Sequence, residues 1–116
     1  MLLLHLCRPE EWERALASGA YRADSLESEG FIHCSTPEQI VATAQRHRAG
    51  QQGLLLLVID PDRVGPETRY EEAKNGEAYP HIYGPLNVDA VTAVQPFPLQ
   101  PDGSFLQPVI PAGKAE

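Results

Sequence analysis

The sequence predicts a single compact α+β domain, on three observations. The chain has 116 residues, a length that supports one hydrophobic core but hardly two. Its 42% hydrophobic and 22% charged content is typical of globular proteins. The predicted order of elements is strand, helix, strand, helix and then mainly strands. Because both main helices come early and a hairpin comes late, this order does not fit the repeating strand–helix–strand units of a doubly wound sheet.

The first predicted strand spans residues 2–6 and places a histidine among leucines. Side chains alternate between the two faces of a strand, so Leu3, His5 and Cys7 share one face. The alternate leucines share the other face.

The first helix is predicted to start at Pro9, because proline suits the first helical position. Gly19 is a natural C-terminal cap and ends it. The apolar stripe of this helix has three predicted members: Trp12, Ala15 and Leu16.

An irregular segment is predicted over residues 21–29, and a short strand over residues 30–35. Alternation gives this strand two sides: Phe31, His33 and Ser35 on one, Ile32 and Cys34 on the other. An imidazole, a thiol and two hydroxyls then occupy four consecutive positions where the strand meets a helix. This concentration indicates an active site, a metal site or a strand end that caps the helix.

The second main helix is predicted to run from Pro37 to about residue 48. Thr36 is its expected cap, and the glutamine three residues later completes a capping box. The free N–H groups and the positive dipole end of this helix would lie beside His33 and Ser35. Such a helix start suits an anion or a nucleotide.

The remaining strands are predicted from three patterns. Residues 54–59 form a continuous apolar run, typical of a strand that is covered on both faces. Residues 68–72 and 78–83 flank Asn75-Gly76, which favours a hairpin. Residues 88–94 form the last predicted strand.

Prolines dominate the end of the chain. The last strand is expected to stop at Pro96, and residues 1–99 form the predicted domain. Residues 100–116 are expected to be a proline-rich tail with little secondary structure of its own.

Charge and composition exclude several classes of function. The net charge of −7 argues against a general nucleic-acid binder, which normally carries a basic face. No run approaches the roughly 20 apolar residues that span a bilayer, so no membrane segment is expected. Two cysteines make no disulfide framework, and Cys34 is expected to be buried and not paired with Cys7. We therefore expect a cytoplasmic protein, and the sequence leaves its oligomeric state open.

Three histidines occupy predicted strands. His5 lies in an apolar strand, His33 ends another, and His81 shares a strand face with Tyr79 and Tyr83. Each one alone is more often a core or edge residue than a catalyst. Three separately buried imidazoles would need three separate hydrogen-bonding arrangements, so one shared polar cleft is the simpler prediction.

A metal is the weaker interpretation of this cleft. Five zinc-competent side chains are available: His5, Cys7, His33, Cys34 and His81. Cys34 should nevertheless point away from His33 on a regular strand, and the ligands lack a tight spacing. Ser35 as a nucleophile with His33 as its base is also weak, because no acid orients the pair. Binding of an anion or nucleotide is favoured, and no metal ligands are assigned.

Four segments resemble a small bacterial domain of unknown function, family 952. They are LHL at residues 4–6, PEEW at residues 9–12, GFIHCSTP at residues 30–37 and YPHIYGPL at residues 79–86. The resemblance covers roughly residues 2–97. This family is in turn similar to a minimal ADP-ribosyltransferase fold, which binds NAD between the halves of a split, mainly antiparallel β-sheet. The resemblance implies NAD as a substrate and assigns no resident cofactor.

The resemblance also implies roles for individual residues. A histidine or arginine on the first strand of that fold holds the NAD ribose, and His5 matches it. A glutamate on a late strand orients the ribose, but the matching place near His81 has no glutamate. Glu71 or Glu72 on the preceding hairpin strand would substitute for it.

Together these arguments predict a histidine-lined cleft that binds NAD or a related nucleotide and acts in ADP-ribosyl or phosphoryl transfer. His33 and His81 are the predicted catalytic residues. The predicted ligand-binding residues are His5, Ser35, Thr36, Tyr79 and Tyr83. A noncatalytic binding or regulatory module is the alternative, and a metal-dependent hydrolase is the third choice.

Overall fold

The computed structural model describes residues 2–110, in which strands and helices alternate over the first half and strands follow over the second. The strands are β1 (Leu3–Cys7), β2 (Ala20–Tyr21), β3 (Ile32–His33), β4 (Leu54–Ile59), β5 (Glu67–Glu72), β6 (Ala78–Tyr83), β7 (Leu86–Asn87) and β8 (Val91–Phe97). The helices are α1 (Pro9–Ser18), α2 (Asp24–Glu29) and α3 (Ile40–His47). Short 3₁₀ turns cover Pro61–Arg63 and Val88–Ala90. The predicted α+β class is confirmed.

The strands form two three-stranded antiparallel sheets and one short pair. In the first sheet β4 lies between β1 and β8, and in the second β6 lies between β3 and β5. The two sheets meet where the Leu4 N–H donates to the Ser35 carbonyl and the Ser35 N–H donates to the Leu4 carbonyl, both at 2.8 Å. The short strands β2 and β7 pair with each other. The sheet is therefore divided into two halves that join along one edge of β1.

The central strand β4 is covered on both faces, as its continuous apolar run predicts. Leu57 and Ile59 pack in a cluster with α1, β2 and β3. Leu54, Leu56 and Val58 pack against α3 and β8 in a second cluster. Alternation along β1 divides its side chains between the same two clusters, because β1 and β4 are paired residue by residue.

Helix α1 has the predicted bounds but a different buried face. Gly19 ends it in the left-handed conformation, with φ of +89°. Ala15 and Trp12 pack into the first cluster, whereas Leu16 is 58% exposed, so its predicted inward position is wrong. Glu11 is buried instead, because the Arg8 backbone N–H donates to its carboxylate at 2.8 Å.

Two predictions between the early strands are wrong. The segment expected to be irregular contains β2 and α2. Helix α3 begins at Ile40 instead of Pro37, because the preceding residues form a turn. The Thr36 N–H donates to the Gln39 side chain at 3.0 Å, which is half of the predicted capping box.

The last strand is longer than predicted. Val88–Ala90 form a 3₁₀ turn, and β8 continues through Pro96, which pairs with Leu55 of β4. Because β8 is an edge strand, one side of its backbone needs no partner and proline is tolerated there. The expected stop at Pro96 is therefore wrong.

The chain after β8 has little secondary structure, but it packs on the domain as far as residue 110. Phe105 is buried and its ring stacks on Phe97 with centroids 5.1 Å apart. The Phe105 N–H donates to the Gln45 side chain at 2.9 Å, and the Gln107 amide donates to the Pro37 carbonyl at 2.8 Å. Residues 111–116 of the predicted tail lie outside the described residues. None of the helices described is long and apolar enough to cross a membrane.

Candidate functional site

One face of the β3-β6-β5 sheet brings polar and aromatic side chains together. Residues that pair across antiparallel strands project to the same face. His33 pairs with His81, and Glu71 pairs with Tyr79. Tyr83 lies on the same face, because it follows His81 by two residues.

His81 is the centre of this face. Its Nδ1 lies 2.6 Å from Glu71 Oε1, and its ring stacks on Phe31 with centroids 4.1 Å apart. The His33 ring meets the His81 ring edge-on at 5.2 Å. Tyr83 donates its hydroxyl hydrogen to the same Glu71 Oε1 at 2.5 Å. The imidazole of His81 is thus held in orientation by a carboxylate and an aromatic ring.

These hydrogen bonds determine the charge of the cluster. The Tyr83 hydroxyl, and then His81, lower the pKa of the Glu71 carboxyl, while Glu71 raises the pKa of Tyr83. Glu71 is therefore ionised near neutral pH. An ionised carboxylate accepts a hydrogen bond from the Nδ1–H of His81, so Nε2 is the acceptor nitrogen of the neutral ring. Both bonds use Oε1, and Oε2 of Glu71 has no partner among residues 2–110.

His33 has a more open environment than His81. The His33 side chain is 52% exposed, whereas that of His81 is 14% exposed. Its Nε2 lies 3.2 Å from each carboxylate oxygen of Glu29, the last residue of α2. His33 therefore presents a largely exposed ring beside His81.

His5 is close to these residues but belongs to another environment. It lies on the β1 face of Leu3 and Cys7, is 7% exposed, and interacts with the His33 backbone and not its ring. Nδ1 of His5 is 2.5 Å from the His33 carbonyl, and Nε2 is 2.8 Å from the Tyr21 hydroxyl. Burial lowers the pKa of His5 to about 4, so the ring is neutral. The structure therefore brings two of the three histidines together and places the third beneath them.

An open cavity of about 940 Å³ lies over this face. Five of the seven predicted site residues line it: His5, His33, Ser35, Tyr79 and His81. Thr36 and Tyr83 are not among the lining residues, although Tyr83 reaches the cavity indirectly through Glu71. The Ser35 hydroxyl donates to Thr43 of α3 at 3.0 Å.

Another part of the cavity lining comes from α3 and the β5–β6 turn. Arg46 Nη2 donates to the Tyr79 hydroxyl oxygen at 2.8 Å, and its guanidinium lies 5.9 Å from the centroid of that ring. Asn75 Nδ2 donates to the same oxygen at 2.9 Å. The sequence pattern assigned Asn75 only to the turn.

Glu29 was missed because α2 was not predicted. The partner of His81 could not be identified from the turn residues alone. A two-residue Asn75-Gly76 loop would place Glu72 opposite Tyr79, whereas the observed loop also includes Lys74 and places Glu71 there. The length of this loop decides between Glu71 and Glu72. Neighbours along one strand face different sides of the sheet, and only Glu71 shares the face of His81.

The described residues contain no group of three or more histidine, cysteine or carboxylate side chains that could hold a metal ion. Cys34 is buried and is not paired with Cys7, as predicted, and Cys7 is buried as well. Burial raises the pKa of each thiol to about 12, so neither is a thiolate near neutral pH.

Two comparisons with known proteins found matches, one to a family model and one to solved structures. The model of the family described as "Protein of unknown function (DUF952)" matches residues 6–94. The crystal structure of the protein CC0527 from Caulobacter crescentus is 32% identical, with a TM-score of 0.84 over 91% of this chain and 94% of that one. The solution NMR structure of CC0527 is 33% identical, with a TM-score of 0.77 over 89% and 90% of the two chains. None of the curated proteins matches the chain significantly.

Proposed function

Because the chain belongs to the DUF952 family, whose function is unknown, we propose from the geometry of the candidate site that it is a transferase acting on NAD or a related nucleotide. The nucleotide occupies the cavity over the β3-β6-β5 sheet. His81, oriented by Glu71, is the acid–base group of the reaction. The observation that carries this proposal is the 2.6 Å contact between His81 Nδ1 and Glu71 Oε1.

A histidine oriented in this way suits proton transfer near neutral pH. The carboxylate holds one tautomer of the imidazole and stabilises its charged form when the ring takes up a proton. The His81 side chain is partly accessible and lines the cavity, so Nε2 is available to a ligand. A histidine that served only the core would have both ring nitrogens occupied, as His5 has.

The size and walls of the cavity suit a nucleotide. Its volume of about 940 Å³ is near the upper end for small-molecule sites, which hold up to roughly 1,000 Å³. The exposed His33 ring offers a π face to a planar base or nicotinamide. The division of the sheet at the Leu4–Ser35 bridge is the feature expected from the resemblance to ADP-ribosyltransferases, and it supports the choice of NAD.

Glu71 would supply the carboxylate that this resemblance requires. Its Oε1 accepts from His81 and Tyr83, and its Oε2 remains able to accept a ribose hydroxyl. In the proposed step an acceptor nucleophile forms a bond to ribose C1′. The bond from C1′ to the nicotinamide nitrogen breaks, and nicotinamide leaves with the electron pair. The proton of the acceptor passes to Nε2 of His81.

The test combines ligand binding with turnover. NAD at a hundredfold excess over its Kd should stabilise the folded protein by about 2.7 kcal/mol, which raises its melting temperature measurably. Wild-type protein should also release nicotinamide from NAD. His81→Gln and Glu71→Gln should lose release while the unliganded melting temperature changes little. Glu13→Gln, on the exposed side of α1, is the matched control and should behave as wild type.

The outcomes separate the proposal from its alternative. Binding of NAD without nicotinamide release would favour a noncatalytic module. Release that persists in both His81→Gln and Glu71→Gln would contradict the assigned acid–base role. Absence of any thermal shift with NAD or ADP-ribose would refute the nucleotide itself.

A further inference from the structure

Three side chains from separate elements meet at the Tyr79 hydroxyl. Tyr79 comes from β6, Arg46 from the last turn of α3, and Asn75 from the turn between β5 and β6. Arg46 Nη2 and Asn75 Nδ2 both donate to the Tyr79 oxygen, at 2.8 and 2.9 Å. The orientation of the Asn75 amide is determined independently, because the Glu77 N–H donates to its Oδ1 at 3.0 Å. All three side chains line the cavity.

Within residues 2–110, the hydroxyl hydrogen of Tyr79 lacks an acceptor at this junction. A phenolic oxygen accepts two hydrogen bonds and donates one. Arg46 and Asn75 use both acceptor positions, so the Tyr79 hydroxyl hydrogen must be donated elsewhere. No acceptor among residues 2–110 receives it, and the guanidinium of Arg46 has further N–H groups without partners there. The junction therefore presents donors to the cavity that have no acceptor within residues 2–110.

The charge at the junction favours an anion as that acceptor. Arg46 forms no ion pair with any carboxylate in the described part of the chain. Lys74 lines the same side of the cavity. The nearest acid by register is Glu71, but its carboxylate is directed to His81 and Tyr83. Arg46 and Lys74 thus bring two positive charges to a cavity wall that also carries Glu72, and neither forms an ion pair within residues 2–110.

We propose that Tyr79, Arg46 and Asn75 form an anion subsite that binds a phosphate group of the nucleotide. This inference deepens the proposed function and rests on it. Tyr79 and His81 alternate on one strand, so their Cα atoms lie about 7 Å apart. A phosphate at Tyr79 would place the attached ribose beside His81. The cavity should accordingly select phosphorylated nucleosides over nucleosides, and the subsite positions the sugar for the reaction.

Nicotinamide mononucleotide and nicotinamide riboside are suitable probes, because they differ only in the phosphate. The full chain should bind the mononucleotide at least about tenfold more tightly in calorimetric titrations, as expected for charge-assisted hydrogen bonds. Arg46→Gln and Tyr79→Phe should each reduce this ratio severalfold and leave riboside affinity unchanged. Arg14→Gln and Tyr70→Phe make the same replacements at exposed positions outside the cavity and should keep the wild-type ratio.

The affinity ratio separates failure of the anion subsite from failure of the proposed function. Equal affinity of wild-type protein for both probes would overturn the subsite and leave the proposed function standing. A wild-type ratio in both Arg46→Gln and Tyr79→Phe would overturn it as well. If neither probe binds the wild-type protein, the nucleotide proposal fails together with the subsite. Melting temperatures of all variants, measured without ligand, show whether a loss of affinity reflects unfolding.

Discussion

Replacement of His5 should reduce the loss of folding stability that occurs at acidic pH. Burial lowers the pKa of this imidazole from 6.5 to about 4, and its ring nitrogens serve the His33 carbonyl and the Tyr21 hydroxyl. The folded state therefore resists protonation that the unfolded chain accepts. The contribution of neutral His5 to the free energy of unfolding is complete above pH 6.5 and is lost as the pH falls toward 4.

The size of the effect follows from the two pKa values. Between pH 7.5 and 5.0, a group with pKa 6.5 unfolded and about 4 folded lowers the free energy of unfolding by about 2 kcal/mol. For a domain of 116 residues, with an unfolding entropy of about 2.1 cal/mol/K per residue, this loss corresponds to about 8 °C in melting temperature.

Urea unfolding followed by the fluorescence of Trp12, the single tryptophan, measures this loss at each pH. His5→Gln removes the titrating ring and retains a donor for the His33 carbonyl. Between pH 7.5 and 5.0, the free energy of unfolding of His5→Gln should fall by about 2 kcal/mol less than that of wild type. This difference does not depend on the stability of the variant at pH 7.5. His47→Gln removes an exposed histidine and should follow the wild-type curve. Parallel losses in wild type and His5→Gln would refute the reasoning.

Three further predictions concern the tail, the thiols and the site. Phe105→Ala should lower the free energy of unfolding by about 3 kcal/mol, because it removes a buried ring that stacks on Phe97 of β8; unchanged urea unfolding would contradict this. Cys7 and Cys34 should react with thiol reagents only after unfolding, since burial raises the pKa of each to about 12; rapid labelling of native protein at pH 8 would be the contrary result. Tyr83→Phe should raise the pKa of Glu71 toward its ordinary value, which carboxyl ¹³C NMR titration measures; an unchanged titration would show that the hydroxyl contributes nothing.

The part of the candidate site that β1 and β3 contribute was only partly predictable from the sequence. Alternation along residues 30–35 correctly placed His33 opposite to Cys34, because a period of two applies to any extended segment. The same rule could not relate His5 to His33. The two strands meet through the Leu4–Ser35 bridge, and this register puts His5 on the face opposite to Ser35. The expectation of one shared cleft required that register. All three histidines line the cavity, but only the rings of His33 and His81 contact each other.

Local signals accounted for the elements whose residues interact with near neighbours. Pro9 and Gly19 marked both ends of α1, the apolar run marked β4, and Asn75-Gly76 marked the hairpin. Each signal acts through backbone geometry or burial within a few residues, so it can be identified without the rest of the fold. The α+β class follows from the order of these elements.

Tertiary structure alone decided the contacts that carry the proposed chemistry. The pairing of His81 with Glu71 depends on hairpin register, and the junction at Tyr79 depends on where α3 packs against the second sheet. Arg46 and Tyr79 are separated by 32 intervening residues, and no local preference brings them together. Hydrogen bonds and ion pairs act over a few ångströms in space regardless of sequence distance. The sequence therefore determined which reactive side chains exist and on which strand faces they lie, and packing determined which of them meet.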